Sequence, residues 1–267
     1  MLDVIDKGPR DSQKTPLLFV HGAYHGPWCW DEHFLEFFAA KGYRSLALTL
    51  RGHSTTPAPK PVRSRSIADF VDDVASVADS LPTRPLLVAH SVGGFVVQKY
   101  LESHAAPAAV LLASVPPSGI AKYFLRRFKR HPWLTAGNLA MGKTLRAVGG
   151  TPELARETFF SESIPDADVA RYTAQLCEEY ISRLVLDMLF LDLPKPRLVT
   201  IPVLVLGAEN DFVFTQREIH ATAAAYRTEA EIFPDMAHDM MLEPGWAAVA
   251  ERIHAWIETR CPTTLAK

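Results

Sequence analysis

Residues 86 to 94, Leu-Leu-Val-Ala-His-Ser-Val-Gly-Gly, constrain this chain more than any other stretch. The apolar run Leu86 to Ala89 predicts a short buried strand, and the amphipathic run Phe95 to Leu101 predicts a helix. Only His90-Ser91-Val92 and two glycines lie between them. A strand that turns so sharply into a helix leaves the apex residue with its hydroxyl exposed and the neighbouring N–H groups aimed at one point. Small residues must flank the apex, because strand and helix backbones come close together there. Ala89 and Gly93 stand two residues either side of Ser91, giving the G-x-S-x-G pattern with Ala in its first place. A serine that merely caps a helix N-terminus shares part of this pattern, so the rest of the chain has to decide between them.

The flanking sequence alternates strand and helix signals. Met1 to Ile5, Leu17 to Val20, Ser45 to Leu50 and Ala108 to Ala113 read as strands. Trp28 to Ala40, closed by Gly42, reads as a helix. Ser66-Ile67-Ala68-Asp69 is a capping-box start for a second helix, with apolar residues from Ile67 to Leu81 at helical spacing. Arg51 to Arg65 holds Pro and Ser and reads as a loop. Such alternation predicts a mostly parallel sheet flanked by helices, with right-handed crossovers. Ligands on such sheets sit beyond the carboxyl ends of the strands. Ala23, Ser91 and the loop after residue 113 all fall at that edge.

The pairing of His21-Gly22-Ala23 after one strand with Ala-His-Ser-Val-Gly-Gly after another resembles the α/β-hydrolase fold family. Residues 21 to 30, His-Gly-Ala-Tyr-His-Gly-Pro-Trp-Cys-Trp, resemble its branch of plant methylesterases and hydroxynitrile lyases. Leu50-Arg51-Gly52-His53-Ser54 resembles a segment of the lysophospholipase-like and monoacylglycerol-lipase-like members, with Ser54 where those carry Gly. The resemblance covers the chain except its middle. It implies an oxyanion hole formed by the N–H groups of Ala23 and Val92. Two backbone donors aimed at one point stabilise a developing oxyanion, and losing one such donor costs ~10²–10³ in rate. Tyr24 is expected only to shape the turn, His21 to organise the loop, and His25 is given no role.

The alternation stops after Pro116-Pro117-Ser118-Gly119, which marks a boundary. Helical patterns follow over residues 120–130, 133–148, 152–160, 166–179 and 180–191, and a Pro-rich stretch from Leu193 to Arg197 closes them. Thr151-Pro152 is a strong helix start, with Thr at the N-cap and Pro at the first turn. A helical insert between two sheet strands resembles the cap of this fold, so the expected organisation is a core of residues 1–116 and 198–267 with a helical cap over 117–197. The cap opens on Lys122, Arg126, Arg127, Lys129 and Arg130 interleaved with Tyr123, Phe124 and Phe128. A solvated basic face over packed aromatics is the expectation here, ahead of a membrane-surface or anion-binding helix. Phe159, Phe160, Met188, Leu189 and Phe190 are candidates to line a pocket or to pack the core.

After the insert, Val203 to Leu206 reads as a strand leading to Gly207-Ala208-Glu209-Asn210-Asp211. Gln216 to Tyr226 reads as a helix, Ala230 to Phe233 as the last strand, and Pro244 to Ile257 as the closing helix. The loop after the last strand carries His238. The chain order Ser91, Asp211, His238 is that of the α/β-hydrolase triad. A Ser hydroxyl is a weak nucleophile near neutral pH and needs an adjacent base. His titrates near neutrality and can take the proton and return it. A carboxylate on the other ring nitrogen fixes the tautomer and stabilises the imidazolium. Glu209 competes with Asp211 for that place, and the offset from Gly207 favours Asp211. Asp239 adjoins His238 in sequence and is read as a loop residue. Ser114-Val115-Pro116-Pro117 offers no acid, and His53-Ser54 lacks the following glycines. His104, His131, His220 and His254 are expected at the surface or in packing.

The chemistry thus expected is hydrolysis of a carboxylic ester of a small apolar or aromatic substrate through an acyl-enzyme. No organic cofactor and no metal are expected, since no cluster stands at ligand spacing in sequence. A Ser at the apex argues against relatives that use a carboxylate nucleophile. Carbon–carbon bond hydrolysis, hydroxynitrile-lyase chemistry and a non-catalytic small-molecule receptor use the same scaffold. The lyase relatives carry Lys after the catalytic His, where this chain has Asp239. Net charge is −2 over 267 residues, so no basic field points to nucleic acid. No apolar stretch is long enough to span a bilayer, and the first residues carry no basic and apolar leader pattern. Three scattered cysteines, Cys29, Cys177 and Cys261, fit a reducing cytoplasm. A monomer or homodimer acting on a small-molecule substrate is the expected working form.

Overall fold

The computed structural model describes residues 2–53, 65–142, 144–179 and 183–260. Its centre is a seven-stranded sheet in the order β1-β3-β2-β4-β5-β6-β7. The strands are β1 (Val4–Lys7), β2 (Leu17–Val20), β3 (Ser45–Leu48), β4 (Leu86–His90), β5 (Ala109–Leu112), β6 (Val203–Ala208) and β7 (Ala230–Phe233). β1 pairs antiparallel with β3, Val4 opposite Leu48, and every other pairing is parallel. The first strand therefore lies slightly later than Met1 to Ile5 and forms an antiparallel edge.

Strands β2, β4, β5 and β6 are buried throughout, as expected for a parallel sheet covered on both faces. Successive side chains point to opposite faces, and the core divides accordingly. Leu17 and Phe19 join Phe34 and Phe38 of one helix and Val249 and Ile253 of the closing helix. Leu18 and Val20 face the other way, with Phe70, Val74, Phe95 and Ile219. The helix Ile67–Asp79 starts with the anticipated capping box between Ser66 and Asp69. The closing helix spans Trp246–Arg260.

The segment from Trp28 to Ala40 is two helices, Trp28–Asp31 and Phe34–Ala40. The break falls at His33, whose backbone leaves the helical region (φ −142°) while its ring stacks flat on Trp246, centroids 4.5 Å apart. A tertiary contact here overrides local helix periodicity.

Between β5 and β6 the described residues form helices and no strand: Ala121–Arg130, Pro132–Met141, Leu145–Val148, Pro152–Phe159, Asp166–Thr173 and Arg183–Leu186. A π-helical turn, Asp187–Leu191, follows the last of these. The run 133–148 is broken near Gly142, which sits at φ 67°, a conformation that Gly adopts at little cost. Thr151 caps its helix by accepting from the Leu154 N–H. The basic helix corrects one expectation. Arg127 is buried, while Leu125 and Phe128 are about half exposed, at 55% and 50%. Arg127 lies over the Phe212 ring and Arg126 pairs with Glu218 at 2.9 Å. Two of the five cations thus face the body of the protein instead of solvent. No helix among the described residues is long and apolar enough to cross a membrane.

Candidate active site

Ser91 is the first residue of the helix Ser91–Tyr100, directly after β4. Its backbone is left-handed (φ 52°), a strained state for a residue with a Cβ. The surroundings hold it there. A Cβ built on Gly93 would stand 2.4 Å from the His21 carbonyl oxygen and 2.5 Å from that of Val20. A Cβ on Gly22 would stand 2.9 Å from the Ser91 Cβ. Hydrogen at these positions lets the loop after β2 lie against the start of the helix, and Ala23, Ser91 and Val92 line one cavity. The Val92 N–H is among the first N–H groups of a helix, which have no partner within it.

His238 joins this pair from the loop after β7. Its Nε2 is 3.0 Å from Ser91 Oγ and its Nδ1 is 2.9 Å from Asp211 Oδ2. A carboxylate only accepts, so Nδ1 carries the proton and Nε2 is free to accept from the serine hydroxyl. The second Asp211 oxygen accepts from the N–H groups of Val213 (2.7 Å) and Phe214 (3.0 Å), which fixes its orientation. The competing Glu209 is exposed and accepts instead from the Asp235 N–H. His53 is buried and bonded to Glu179 at 2.5 Å. Ser54 lies outside the described residues.

The loop after β2 is anchored through its histidines. His21 Nδ1 donates to the Gly22 carbonyl at 2.8 Å, and its Nε2 accepts from the Leu50 N–H at 3.1 Å. Burial and neighbouring imidazoles hold the His21 ring well below its ordinary pKa, so it stays neutral. The Gly22 carbonyl belongs to the same peptide as the Ala23 N–H, so His21 fixes the orientation of that peptide. Tyr24 is left-handed (φ 67°), its hydroxyl donates to Thr144 Oγ1 at 2.9 Å, and its carbonyl accepts from the Cys177 N–H at 2.8 Å.

Two residues that sequence reasoning passed over lie beside the triad. Asp239 is completely buried, and its Oδ2 is 2.8 Å from His25 Nε2. His25 Nδ1 is 2.8 Å from the Ala23 carbonyl. Asp239 is therefore not a free loop residue, and His25 is not idle. Adjacency to His238 made Asp239 look unsuitable as its orienter, which is correct, but the partner is 214 residues away. The remaining imidazole, His90, donates from Nε2 to the His238 carbonyl at 3.1 Å. Burial, with His238 alongside, pushes its pKa down to about 3. His90, His238 and Asp239 also offer ligand atoms within 4.8 Å of one another, a grouping that sequence spacing did not reveal. Both His238 nitrogens and the His90 Nε2 are already committed to Ser91, Asp211 and a carbonyl. This donor set does not fit a metal without dismantling those bonds.

A cavity of about 700 Å³, its mouth included, lies over Ser91. Tyr123, Phe124, Phe159, Leu184, Met188 and Phe214 make most of its wall apolar. All but Phe214 come from the helical insert. Of the other lining candidates, Phe160 is buried in the core, Leu189 lines a separate outer groove and Phe190 is 64% exposed.

The model of the alpha/beta hydrolase family matches residues 17–252. The chain belongs to the alpha/beta hydrolase family. Among curated relatives, a non-heme chloroperoxidase of Burkholderia pyrrocinia is 35% identical over 42% of this chain and 41% of its own length. A rice protein (Oryza sativa subsp. indica) named probable esterase PIR7A is 28% identical over 56% of this chain and 61% of its own. The chain thus spans about 41% to 61% of these relatives' length. Among solved structures, a thermophilic esterase from Thermogutta terrifontis superposes with a TM-score of 0.75 at 18% identity, covering 97% of this chain and 93% of that one. These likenesses agree with the sheet order and with the anticipated fold.

Proposed function

We propose that this alpha/beta hydrolase is a serine esterase that cleaves a carboxylic ester of a small apolar or aromatic substrate through an acyl-enzyme. The observation that carries the reading is the unbroken Ser91–His238–Asp211 chain, at 3.0 and 2.9 Å, at the floor of an apolar cavity. Ser91 Oγ attacks the ester carbonyl carbon as its proton passes to His238 Nε2. The carbonyl oxygen becomes an oxyanion held by the Ala23 and Val92 N–H groups. Asp211 stabilises the imidazolium through Nδ1. Collapse expels the alcohol oxygen, which takes the proton back from Nε2, and leaves the acyl group on Ser91. A water then attacks the acyl carbon and gives its proton to His238. The second collapse releases the acid and returns the proton to Ser91.

The insert over 117–197 acts as the cap in this reading. Its Phe124, Phe159 and Met188 side chains cover the apolar part of the substrate, while the polar reacting group meets Ser91. Relatives named probable esterase and methylesterase support the ester class.

Hydrolysis of p-nitrophenyl esters from acetate to palmitate by the wild type and Ser91→Ala tests the proposal. Turnover that Ser91→Ala reduces by about 10⁴-fold or more is expected, with an optimum at short acyl chains. A folded wild type inactive at every chain length overturns it.

A further inference from the structure

The His25–Asp239 contact joins two loops that approach the site from opposite ends of the chain. One loop, residues 21 to 27, supplies the Ala23 N–H. The other, after β7, supplies His238. Both ring nitrogens of His25 are occupied, at 2.8 Å each, by the Ala23 carbonyl and by Asp239 Oδ2. A carbonyl and a carboxylate only accept, so both nitrogens must donate, and the ring is an imidazolium facing a carboxylate. Neither nitrogen is left for a substrate, which rules out a direct acid or base role. The left-handed turn at Tyr24 (φ 67°) folds the ring back onto the carbonyl two residues earlier. The carbonyl it grips and the N–H offered to the oxyanion belong to the same residue.

We propose that His25 and Asp239 are a positioning pair, a buried clamp that holds the oxyanion donor of Ala23 in register with the base His238. The inference rests on the serine-esterase reading and deepens it. Further contacts brace the clamp. The Asp239 N–H donates to the Phe159 carbonyl at 2.9 Å, and the His238 carbonyl accepts from His90. His25 stacks on Trp28, centroids 5.4 Å apart.

The titratable groups around the pair are few and support the charge state. His90 faces both partners, 3.7 Å from Asp239 Oδ1, and remains neutral. His21, His238, Cys29 and Glu243 are the other titratable groups whose charge is felt by the pair, and the Cys177 thiol touches the His25 carbonyl. Burial pulls the His25 pKa down, but the Asp239 carboxylate and its hydrogen bond outweigh this and raise it. Burial pushes Asp239 up, but His25 holds it below the usual carboxylate range.

As pH rises through the His25 pKa, one nitrogen loses its proton. One of the two links then faces an acceptor with an acceptor, and the clamp opens. The wild type should therefore lose kcat on an alkaline limb with little change in KM. His25→Ala and Asp239→Ala should lower kcat about 10- to 100-fold at neutral pH, short of the ~10²–10³ for outright loss of an oxyanion donor. Asp239→Asn is the informative variant. Its amide N–H donates to the Nε2 of a neutral His25, whose Nδ1–H still reaches Ala23, so both links survive without the charge. It should keep kcat within about 5-fold of wild type, in the range of a single neutral hydrogen-bond exchange, and lose the alkaline limb.

The experiment is kcat and KM for p-nitrophenyl acetate against pH, with fluorophosphonate labelling of Ser91 as a readout independent of turnover. Folded alanine variants with wild-type kcat overturn the clamp, and so does an unchanged alkaline limb in Asp239→Asn. If the alanine variants do not fold, the Asp239→Asn profile alone decides. A wild type that neither hydrolyses the ester nor labels overturns the esterase reading itself, and the clamp with it.

Discussion

Gly93→Ala probes whether backbone contact between the loop after β2 and the helix that starts at Ser91 sets the proposed site. The added Cβ would stand 2.4 Å from the His21 oxygen and 2.5 Å from the Val20 oxygen. A carbon-to-carbonyl contact ordinarily sits at about 3.3–3.6 Å, so the loop must retreat by about 1 Å. Both obstacles are backbone, and no rotamer change relieves them. The strain of overpacking costs ~1–3 kcal/mol, against which Ala gains about 1 kcal/mol over Gly as a helix former. The net should be a loss of up to about 2 kcal/mol, or a fall in Tm of up to roughly 8 °C for a chain this long. Activity should suffer more than stability. The retreating segment leads into the Gly22–Ala23 peptide, and a displacement of about 1 Å at a reacting centre costs about 10²-fold. Thermal unfolding by circular dichroism and kcat for p-nitrophenyl acetate measure both effects. Gly137→Ala is the control, in the helix Pro132–Met141 with nothing within 4 Å of its added Cβ. It should leave kcat unchanged and raise stability by about 1 kcal/mol at most. Gly93→Ala with undiminished Tm and kcat within about threefold of wild type would refute the steric reasoning, since an oxyanion donor alone is worth ~10²-fold or more.

Two further perturbations test the frame around the site. Arg51 bonds Asp73 through Nε at 2.8 Å and Nη2 at 2.6 Å, and Asp73 is buried. Arg51→Ala should cost ~3–5 kcal/mol in urea denaturation, because it leaves the buried Asp73 without its counter-ion, holding only the backbone N–H of residue 51, and a loss under about 1 kcal/mol would mean the pair is effectively solvated. His90 has its pKa pushed from 6.5 to about 3 in the folded chain. The unfolded chain therefore binds a proton that the folded one refuses, and stability is lost progressively as pH falls from 6.5 towards 3, at up to about 1.4 kcal/mol per pH unit. His90→Gln keeps an N–H for the His238 carbonyl without a titratable ring, so its Tm should decline less than that of wild type between pH 6.5 and 4.5. Parallel declines would assign the acid lability elsewhere.

The legible parts of this protein are those fixed by short-range sterics or by strand and helix period. The elbow could be read because a Ser between a buried strand and two glycines has few other uses. Strand period placed Asp211 and His238 in loops after strands, and the resemblance to the α/β-hydrolase family singled them out as partners of Ser91. The basic helix misled because its periodicity says nothing of the loop it packs on. Arg127 is buried over Phe212, which lies 85 residues further along the chain. The break at His33 needed knowledge of Trp246. Gly142 did carry a local sign of the break in the following run. The His25–Asp239 contact had no local sign, since each residue is unremarkable in its own loop and only the folded sheet brings them together.

Four imidazoles crowd this site, and the proposed mechanism uses only one of them as a base. Their partners separate them. His21 has an acceptor on Nδ1 and a donor on Nε2, so it is held neutral in one tautomer. His90 is neutral through burial, with its Nε2–H spent on a carbonyl. His25 faces acceptors on both sides and is held as a cation. His238 alone has a carboxylate on one nitrogen and a hydroxyl on the other. A hydroxyl can give up its proton when it attacks, so the proton passes along a hydrogen bond already in place. The same ring in four settings thus yields two anchors, one clamp and one base. The choice of base lies in the hydrogen-bond partners that the sheet delivers, and not in histidine itself.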